Sequence, residues 1–382
     1  MGEGYEGIDS AARVGTHAPE EAEELLALAN ETELVRVPRL VEDAWAAYGD
    51  SRTIVSAEEA SANVSTNQVF RLRLSDGERV IAKTSSYASY FLFREDHDRI
   101  HLWNKLLQRT RYKDFLADAL ADGARVFTYL DGEAWAVFYK NADFQQSLPR
   151  LLNEDQIVNL AEEIAYFHKE CRIIAGKIPL TSVSIKSDII HLMDSVSSPR
   201  APQSLRISNE HIALLKRACF AFLTSLDELG YDYWQRLPLL IDWNIGNFSV
   251  KYRGERFKLH SRWDYDWFRM ESPTLDFYFL SRVVSEVGDR SDFSYLPDCL
   301  LEPRFRLFLR AYHSINPLTK NDLLFLKEVY RFFILNYVIR KGEHFFRPHF
   351  IKRLKREALT VYLQRLDELD FTVLFSVLTE DT

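Results

Sequence analysis

The sequence predicts an α+β fold with two lobes: a small N-terminal lobe with an antiparallel sheet and one helix, and a larger, mainly helical lobe. Three observations support this prediction. The chain has 382 residues, which is enough for two hydrophobic cores. Residues 53–141 read as two strand pairs separated by a helix. Beyond residue 141 the apolar residues recur with mainly helical spacing.

This pattern divides the chain into three segments. Residues 1–32 are predicted to be a partly disordered N-terminal extension with a short helix at 19–31, where acidic residues precede a leucine stripe. Residues 33–142 form the predicted small lobe, and residues 143–382 form the helical lobe. A helix is also predicted at 37–49, because the apolar pattern there stops at a glycine.

Two turn signals and one helical pattern define the small lobe. The stretch "QVFRLRLSDGERVIAKTS" (68–85) alternates apolar and polar residues around Ser-Asp-Gly, which is typical of a β-hairpin. Residues 96–109 have helical spacing. Residues 125–141 form a second predicted strand pair, which turns at Asp131-Gly132.

The larger lobe is predicted from amphipathic patterns. Residues 154–172 and 210–229 place apolar side chains on one helix face. Residues 173–208 are richer in Pro, Ser and basic groups and are predicted to be loops around one short helix. A third hairpin is predicted at 248–263, and residues 273–367 are predicted to be a run of helices.

Composition argues against several kinds of binding partner and structural site. The formal net charge of −8 argues against general attraction to nucleic acid or to an anionic membrane. The three cysteines show no CxxC spacing, which argues against a disulfide framework and a thiolate zinc site. We find neither a secretory pattern nor an apolar stretch of roughly 18 residues, and we expect a cytoplasmic protein.

The stretch "LLIDWNIGNFSVKY" (239–252) places Asp242 and Asn247 five positions apart, before a hairpin that leads to Asp264. Alone, this spacing also fits a turn rich in Asn and Gly. In kinases, however, an Asp orients the acceptor hydroxyl, an Asn five positions later binds magnesium, and an Asp beyond a hairpin binds magnesium across the phosphates. The order predicts Asp242 as the catalytic residue and Asn247 and Asp264 as magnesium ligands.

Lys83 lies on the second strand of the first predicted hairpin, in "VIAKT". This is the context of a lysine that binds the α- and β-phosphates of ATP. An acidic residue on the next helix should hold such a lysine in place. Glu95 is the predicted partner, and Asp98 is nearly as good. A single strand lysine is more often a solvated surface residue, so the prediction depends on the ordered set of motifs.

With these motifs in order, the chain resembles the aminoglycoside phosphotransferase and choline kinase group of small-molecule kinases, which share a bilobal protein-kinase-like fold. "LIDWNIGN" keeps the Asp, Gly and Asn of that group's catalytic loop. Pro273 and Asp276 in "SPTLDF" match a Pro and a further Asp of its magnesium motif. This match favours Asp264 over Asp266 as the metal ligand. The resemblance covers roughly residues 37–290.

The resemblance implies ATP and Mg²⁺ as cofactors and a small molecule with a hydroxyl group as the phosphate acceptor, such as a sugar, an amino alcohol or an aminoglycoside. A protein acceptor is less favoured, because the chain has neither an H-R-D loop nor an A-P-E segment. Asp276 is implied to be structural, either capping a helix or bracing the catalytic loop. Residues 173–208 and the helices after 290 are expected to shape the acceptor pocket.

Further nucleotide contacts are implied by the same resemblance. By this resemblance, Asn67 lies in the loop region that covers the phosphates of the nucleotide. The strand end from Phe138 through Tyr139 to Asn141 is expected to border the adenine. For Phe138, a position in the core is an equally good interpretation.

Two departures from the group keep a second function open. Leu240 stands where the group has a histidine that supports the catalytic loop, and residues 58–67 contain no glycine. The alternative is therefore a weak or inactive kinase-like module that binds nucleotide. A more remote alternative is a zinc hydrolase that uses His97 and His101, which are four positions apart on a predicted helix. It would need Asp98 as its base, and no third ligand is evident.

Overall fold

The computed structural model describes residues 34–61, 67–86, 89–289 and 295–379, and it confirms the two-lobed α+β fold. The helix predicted at 19–31 lies outside the described residues. In these four ranges, no helix is both long enough and apolar enough to cross a membrane.

The small lobe is built on a six-stranded sheet in the order β1-β2-β3-β4-β8-β7, and all neighbouring strands are antiparallel. The strands of the lobe are β1 (Leu34–Val35), β2 (Ile54–Glu59), β3 (Gln68–Leu74), β4 (Arg79–Ser85), the short pair β5 (Ala121–Asp122) and β6 (Arg125–Val126), β7 (Thr128–Asp131) and β8 (Ala134–Lys140). In its described residues the lobe contains the helices α1 (Arg39–Tyr48) and α2 (Tyr90–Leu107), which correspond to the helices predicted at 37–49 and 96–109.

Both predicted hairpins of the small lobe turn at the expected residues. Gly77 joins β3 to β4 with a φ of 88°, and Gly132 joins β7 to β8 with a φ of 61°. These left-handed conformations favour glycine, which has no Cβ atom. Helix α2 begins at Tyr90, earlier than the predicted start at residue 96.

The larger lobe is mainly helical. Its α-helices are α3 (Glu154–Ile174), α4 (Ile185–Ser197), α5 (Ala201–Leu205), α6 (Asn209–Leu229), α7 (Phe277–Val283), α8 (Pro303–Ile315), α9 (Lys320–Phe332), α10 (Gly342–Phe345), α11 (Pro348–Glu357) and α12 (Leu363–Glu368). Its strands are β9 (Leu237–Leu239), β10 (Phe248–Arg253), β11 (Arg256–Arg262) and β12 (Arg269–Glu271). Short 3₁₀ turns include Ile245–Asn247 and Pro273–Asp276, and π-helical segments span Phe333–Arg340 and Ala358–Tyr362.

The region 173–208 is more ordered than predicted. It contains two helices, α4 and α5, rather than loops around one short helix. Helix α4 is 13 residues long, and Ser184 caps its N-terminus by accepting a hydrogen bond from the backbone N–H of Ser187. Ile185, Ile189 and Leu192 are fully buried at helical spacing, so tertiary packing stabilises a segment whose composition indicated loops.

The buried apolar residues form two cores, one within the small lobe and a larger one that extends from the helical lobe into part of the small lobe. In the small lobe, Trp45 of α1 packs against Phe138 of β8 with ring centroids 5.1 Å apart. The buried face of α2 belongs to the larger core instead. Its Trp103 lies 5.6 Å from Phe167 of α3 and 6.0 Å from Phe268, measured between ring centroids.

A buried ion cluster joins α4 to the π-helical segment Phe333–Arg340. Asp188 on α4 is 2% exposed at its side chain and pairs with Arg269 of β12. Its Oδ1 atom lies 2.5 Å from Nη1 of Arg340 and 3.7 Å from Nζ of Lys341. Burial alone would raise the pKa of Asp188, but the three cations outweigh burial and hold the pKa well below its ordinary value of 3.8.

We predict that Asp188→Asn lowers the free energy of unfolding by about 3 kcal/mol at neutral pH, because it leaves buried cations without their carboxylate. Urea unfolding monitored by circular dichroism measures this change.

The same experiment at low pH supplies the control. The folded-state pKa of Asp188 is lowered, so its contribution to stability is present above the ordinary pKa of 3.8 and is lost as the pH falls below that value. The stability difference between the native protein and the variant should therefore shrink below about pH 4. A difference that is small at neutral pH would contradict the assigned role.

Candidate active site

The loop that carries Asp242 and Asn247 lies between β9 and β10 and is held by Arg262 at the end of β11. The Arg262 side chain is fully buried and donates from Nη2 to the carbonyl of Asp242 at 2.5 Å and from Nη1 to the carbonyl of Asn247 at 2.9 Å. The β10–β11 hairpin places Arg262 opposite Phe248. Asp264 is two residues beyond Arg262. The hairpin therefore brings Asp264 close to the loop that carries Asp242 and Asn247.

The residue before Asp242 has an unfavourable backbone conformation. Ile241 has a φ of 61°, which is rare for a β-branched residue. Its N–H donates to Oδ1 of Asp276 at 2.8 Å, and Oδ2 of Asp276 is 3.0 Å from Nε2 of His168 on α3. Both of these side chains are fully buried. Asp276 thus braces the loop that carries Asp242, which is one of the two structural roles expected for it.

His168 was not singled out in the sequence. Leu240, which stands where the kinase group has a loop-supporting histidine, is buried in the large core. His168 reaches the loop from α3 through Asp276 and is also 2.8 Å from the hydroxyl of Tyr312. The only sequence signal is a polar residue next to Phe167 and three residues before Cys171, on the buried face of an amphipathic helix.

Lys83 extends from β4 to the residues at the end of the β10–β11 hairpin. Its Nζ atom is 3.0 Å from Oδ1 of Asp264 and 2.5 Å from Oδ1 of Asp266. Burial alone would lower the pKa of Lys83, but the two carboxylates outweigh burial and raise it. Asn67 is also in this cluster, because its Nδ2 donates to Oδ2 of Asp266 at 2.6 Å.

The predicted ion pair between Lys83 and Glu95 is wrong for this structure. Glu95 is half-exposed and pairs with Arg99 at 3.3 Å. Asp98 does not replace it, because its carboxylate accepts from the backbone N–H of Val126 at 2.9 Å. The side of α2 that is buried near Lys83 presents His97 instead. The spacing of apolar residues predicted helix α2, but it did not predict which face of α2 lies towards Lys83.

Asp264 and Asp266 differ in how their oxygens are used. Both oxygens of Asp266 accept hydrogen bonds, from Lys83 and from Asn67. Within the described ranges, only Oδ1 of Asp264 receives hydrogen bonds, from Lys83 and from the backbone N–H of Asp266. Burial favours the neutral acid at both residues. Lys83 outweighs it at Asp264, whose pKa is lowered, but not at Asp266, whose pKa is raised.

Asp242 lies in the field of Asp264. Burial raises the pKa of Asp242 to about 7, and the Asp264 carboxylate adds to this shift, whereas Arg262 opposes it. Oδ1 of Asp242 accepts from the backbone N–H of Asn244 at 3.1 Å, which fixes the orientation of the carboxylate. The loop therefore presents an oriented carboxyl group that can take up a proton near neutral pH.

The donor set near Asp264 fits magnesium better than zinc. The described part of the chain has no group of three or more His, Cys, Asp or Glu residues that could hold a metal ion. A site for Mg²⁺ does not need one, because this ion is usually held by one or two protein oxygens together with phosphate oxygens and water. Asn247 and Asp264 are residues of the required type.

The histidines of the zinc alternative are not arranged for metal binding. They are buried rather than exposed on the surface of the helix. Nδ1 of His97 lies 2.8 Å from the carbonyl of Phe93, and Nε2 lies 2.5 Å from the hydroxyl of Tyr139. Both ring nitrogens of His97 are therefore used, whereas His101 lies 3.4 Å from Asp118.

The residues expected to border the adenine have different environments. The Phe138 ring is fully buried in the small core, which corrects the expectation that its side chain borders a nucleotide. The Tyr139 side chain points to α2 and contacts His97. Asn141 is exposed just beyond β8. Strand alternation explains the difference between Phe138 and Tyr139, because successive side chains point to opposite faces of the sheet.

We predict that Lys83→Met weakens ATP binding about tenfold or more, because a charge-assisted contact to phosphate is lost, whereas Glu95→Gln changes it by less than about twofold. Isothermal titration calorimetry with Mg-ATP compares the two variants with the native protein. An equal loss of affinity in both variants would show that Glu95 holds Lys83 in the nucleotide complex.

Comparisons with known proteins identify the fold. No protein-family model matches the chain, and no curated protein matches its sequence. Solved structures do match. A microcompartment-associated aminopropanol kinase has a TM-score of 0.55 at 16% identity, with 90% of this chain and 99% of that chain covered. The GDP complex of a wild-type aminoglycoside 2′-phosphotransferase has a TM-score of 0.52 at 13% identity, with 87% and 98% covered.

An ADP-bound aminoglycoside phosphotransferase is similar to the same degree, with a TM-score of 0.51 at 15% identity and with 85% of this chain and 98% of that chain covered. At these identities the likeness concerns the fold. The chain has the bilobal protein-kinase-like fold of these small-molecule kinases, as the sequence predicts.

Proposed function

We propose that the protein transfers the γ-phosphate of ATP to a hydroxyl group of a small molecule. The observation that carries this proposal is the convergence of three groups that are far apart in sequence. Lys83 of the small lobe lies 3.0 Å from Asp264, and Asp264 lies close enough to Asp242 to raise its pKa. The similar solved structures include kinases and phosphotransferases of small molecules, which supports the general reaction type.

The nucleotide would be held by residues of both lobes. Lys83 is fully charged and would donate hydrogen bonds to the phosphates, which would replace the carboxylates that it contacts now. Asn67 lies in the same cluster. Asn247 and the second oxygen of Asp264 would hold Mg²⁺. When bound, Mg²⁺ supplies positive charge to the phosphoryl group and to the departing β-phosphate. The exposed segment at Asn141 is the proposed border of the adenine.

Asp242 would orient the acceptor hydroxyl towards the γ-phosphorus. The bond between the γ-phosphorus and the β,γ-bridging oxygen breaks, and a bond to the acceptor oxygen forms, so the products are ADP and a phosphate ester. The hydroxyl proton passes to Asp242 and then to solvent. Because the transition state of this transfer is loose, orientation of the hydroxyl matters more than its complete deprotonation.

The alternative function, a kinase-like module without transfer activity, was motivated mainly by Leu240 and by the glycine-free residues 58–67. The contact of His168 with Asp276 supports the catalytic loop without a histidine at position 240. Residues 62–66 lie outside the described part of the chain. The chemistry at Asp242 therefore distinguishes the two functions better than either departure does.

We predict that Asp242→Asn lowers turnover by about 10²- to 10⁴-fold, because the hydroxyl loses its orienting base, and changes ATP affinity by less than about twofold. ADP release with Mg-ATP, measured against a mixed library of sugars, amino alcohols, hydroxy acids and aminoglycosides, gives the turnover. Calorimetry gives the ATP affinity.

The matched control is Asp194→Asn on the exposed face of α4, which should leave both quantities unchanged. Loss of ATP binding in Asp242→Asn would assign this residue to the nucleotide site instead. ATP binding by the native protein without transfer to any acceptor would favour the inactive module.

A further inference from the structure

We propose that the acceptor carries an anionic group, a carboxylate or a phosphate, and that Arg269 and Lys341 bind this group in a cleft beside Asp266. This inference rests on the proposed function, because it identifies the chemical class of the molecule that is phosphorylated. It does not follow from the similar structures, two of which are named as aminoglycoside phosphotransferases.

The cleft has a volume of about 80 Å³ and adjoins the phosphate end of the active site through Asp266. Asp266, which pairs with Lys83, forms part of its wall. The wall also includes Thr181 and Val183, and Tyr337 and Lys341. These belong to the two regions of the larger lobe that were expected to shape an acceptor pocket.

Arg269 gives the cleft a buried donor without a partner. The residue is 5% exposed, and its Nε donates to the hydroxyl of Tyr337 at 3.0 Å, while Nη2 donates to Asp188. Nη1 is buried and has no hydrogen-bond partner among the described residues. A buried N–H group without an acceptor is unfavourable, and Arg269 is one of the residues that line the cleft, so it retains hydrogen-bonding capacity beside a bound oxyanion.

Three cations beside the cleft share the single negative charge of one carboxylate. Asp188 is the common partner of Arg269, Arg340 and Lys341. Lys341 has the weakest contact, at 3.7 Å, which is longer than a hydrogen bond. Burial lowers the pKa of Lys341 to about 8, as expected for an ammonium group without sufficient negative charge beside it. A bound anion would supply that charge.

Two carboxylates also line the cleft, but each has a cation of its own. Asp266 pairs with Lys83 at 2.5 Å, and Asp96 on α2 pairs with Arg99 at 3.2 Å. Asp96 also lies in the field of Arg269, but among the described residues neither carboxylate forms an ion pair with Arg269 or Lys341. An anionic group would bind at the Arg269 end of the cleft, and the hydroxyl of the same molecule would extend past Asp266 towards the phosphates.

The first test measures anion binding without catalysis. Succinate and inorganic phosphate are titrated by calorimetry into the full chain saturated with ADP. We expect one or both to bind, and we expect Lys341→Gln to weaken that binding about tenfold or more, the value of one lost charge-assisted hydrogen bond. The control is Lys352→Gln, which changes an exposed lysine of α11 and should have no effect. Absence of binding, or binding that Lys341→Gln leaves unchanged, would overturn the proposal.

The second test uses matched acceptors, namely hydroxy acids against their amides and sugar phosphates against the free sugars. We expect transfer to the anionic member of a pair, and we expect Lys341→Gln to raise its KM about tenfold while leaving kcat and the KM for ATP nearly unchanged. The pair that responds identifies the group as a carboxylate or a phosphate.

Failure of this inference and failure of the proposed function give different results. Equal use of neutral and anionic acceptors would contradict the anionic acceptor and leave the kinase activity in place. Lysine-dependent succinate or phosphate binding, without transfer to any acceptor, would retain the anion site and contradict the kinase.

Discussion

The buried guanidinium of Arg262 is the interaction on which the geometry of the site depends. It binds the carbonyls at both ends of the loop from Asp242 to Asn247, so it defines the span of that loop. It also places a positive charge beneath the carboxylates of Asp242 and Asp264. Without this charge, two partly buried acids that repel each other would have Lys83 as their main cation, and burial would favour their neutral forms.

A second buried network determines where Asp242 points. The left-handed conformation of Ile241 costs of order 1–3 kcal/mol, and it persists because Asp276 accepts the hydrogen bond of the Ile241 N–H group. His168 and Tyr312 complete this network from α3 and α8. The strain in the loop is thus offset by polar contacts made outside it. This arrangement holds Asp242, the proposed base, in place without a histidine in the loop itself.

Charged groups also share partners beside the cleft between α2 and the π-helical segment Phe333–Arg340. Asp188 holds α4, β12 and the π-helical segment together through its cations. One carboxylate carries a single charge for three cations, which is the reason the anion site is proposed beside this cluster. In the proposed anion site, stability and acceptor recognition would involve the same cluster, and Lys341, whose contact with Asp188 is the longest, is the residue best suited to separate the two effects.

Local signals were sufficient for much of this protein. Glycine at the turns defined the hairpins, and the order of Lys83, Asp242, Asn247 and Asp264 predicted the kinase-like fold, since these features depend on neighbours in the chain. The composition of 173–208 misled, because burial of one face stabilises α4. Only the tertiary structure decided which charges pair: Lys83 with Asp264 and Asp266 instead of Glu95, and Asp276 with His168. Such pairing depends on burial and on contacts between residues more than a hundred positions apart, which no short stretch of sequence encodes.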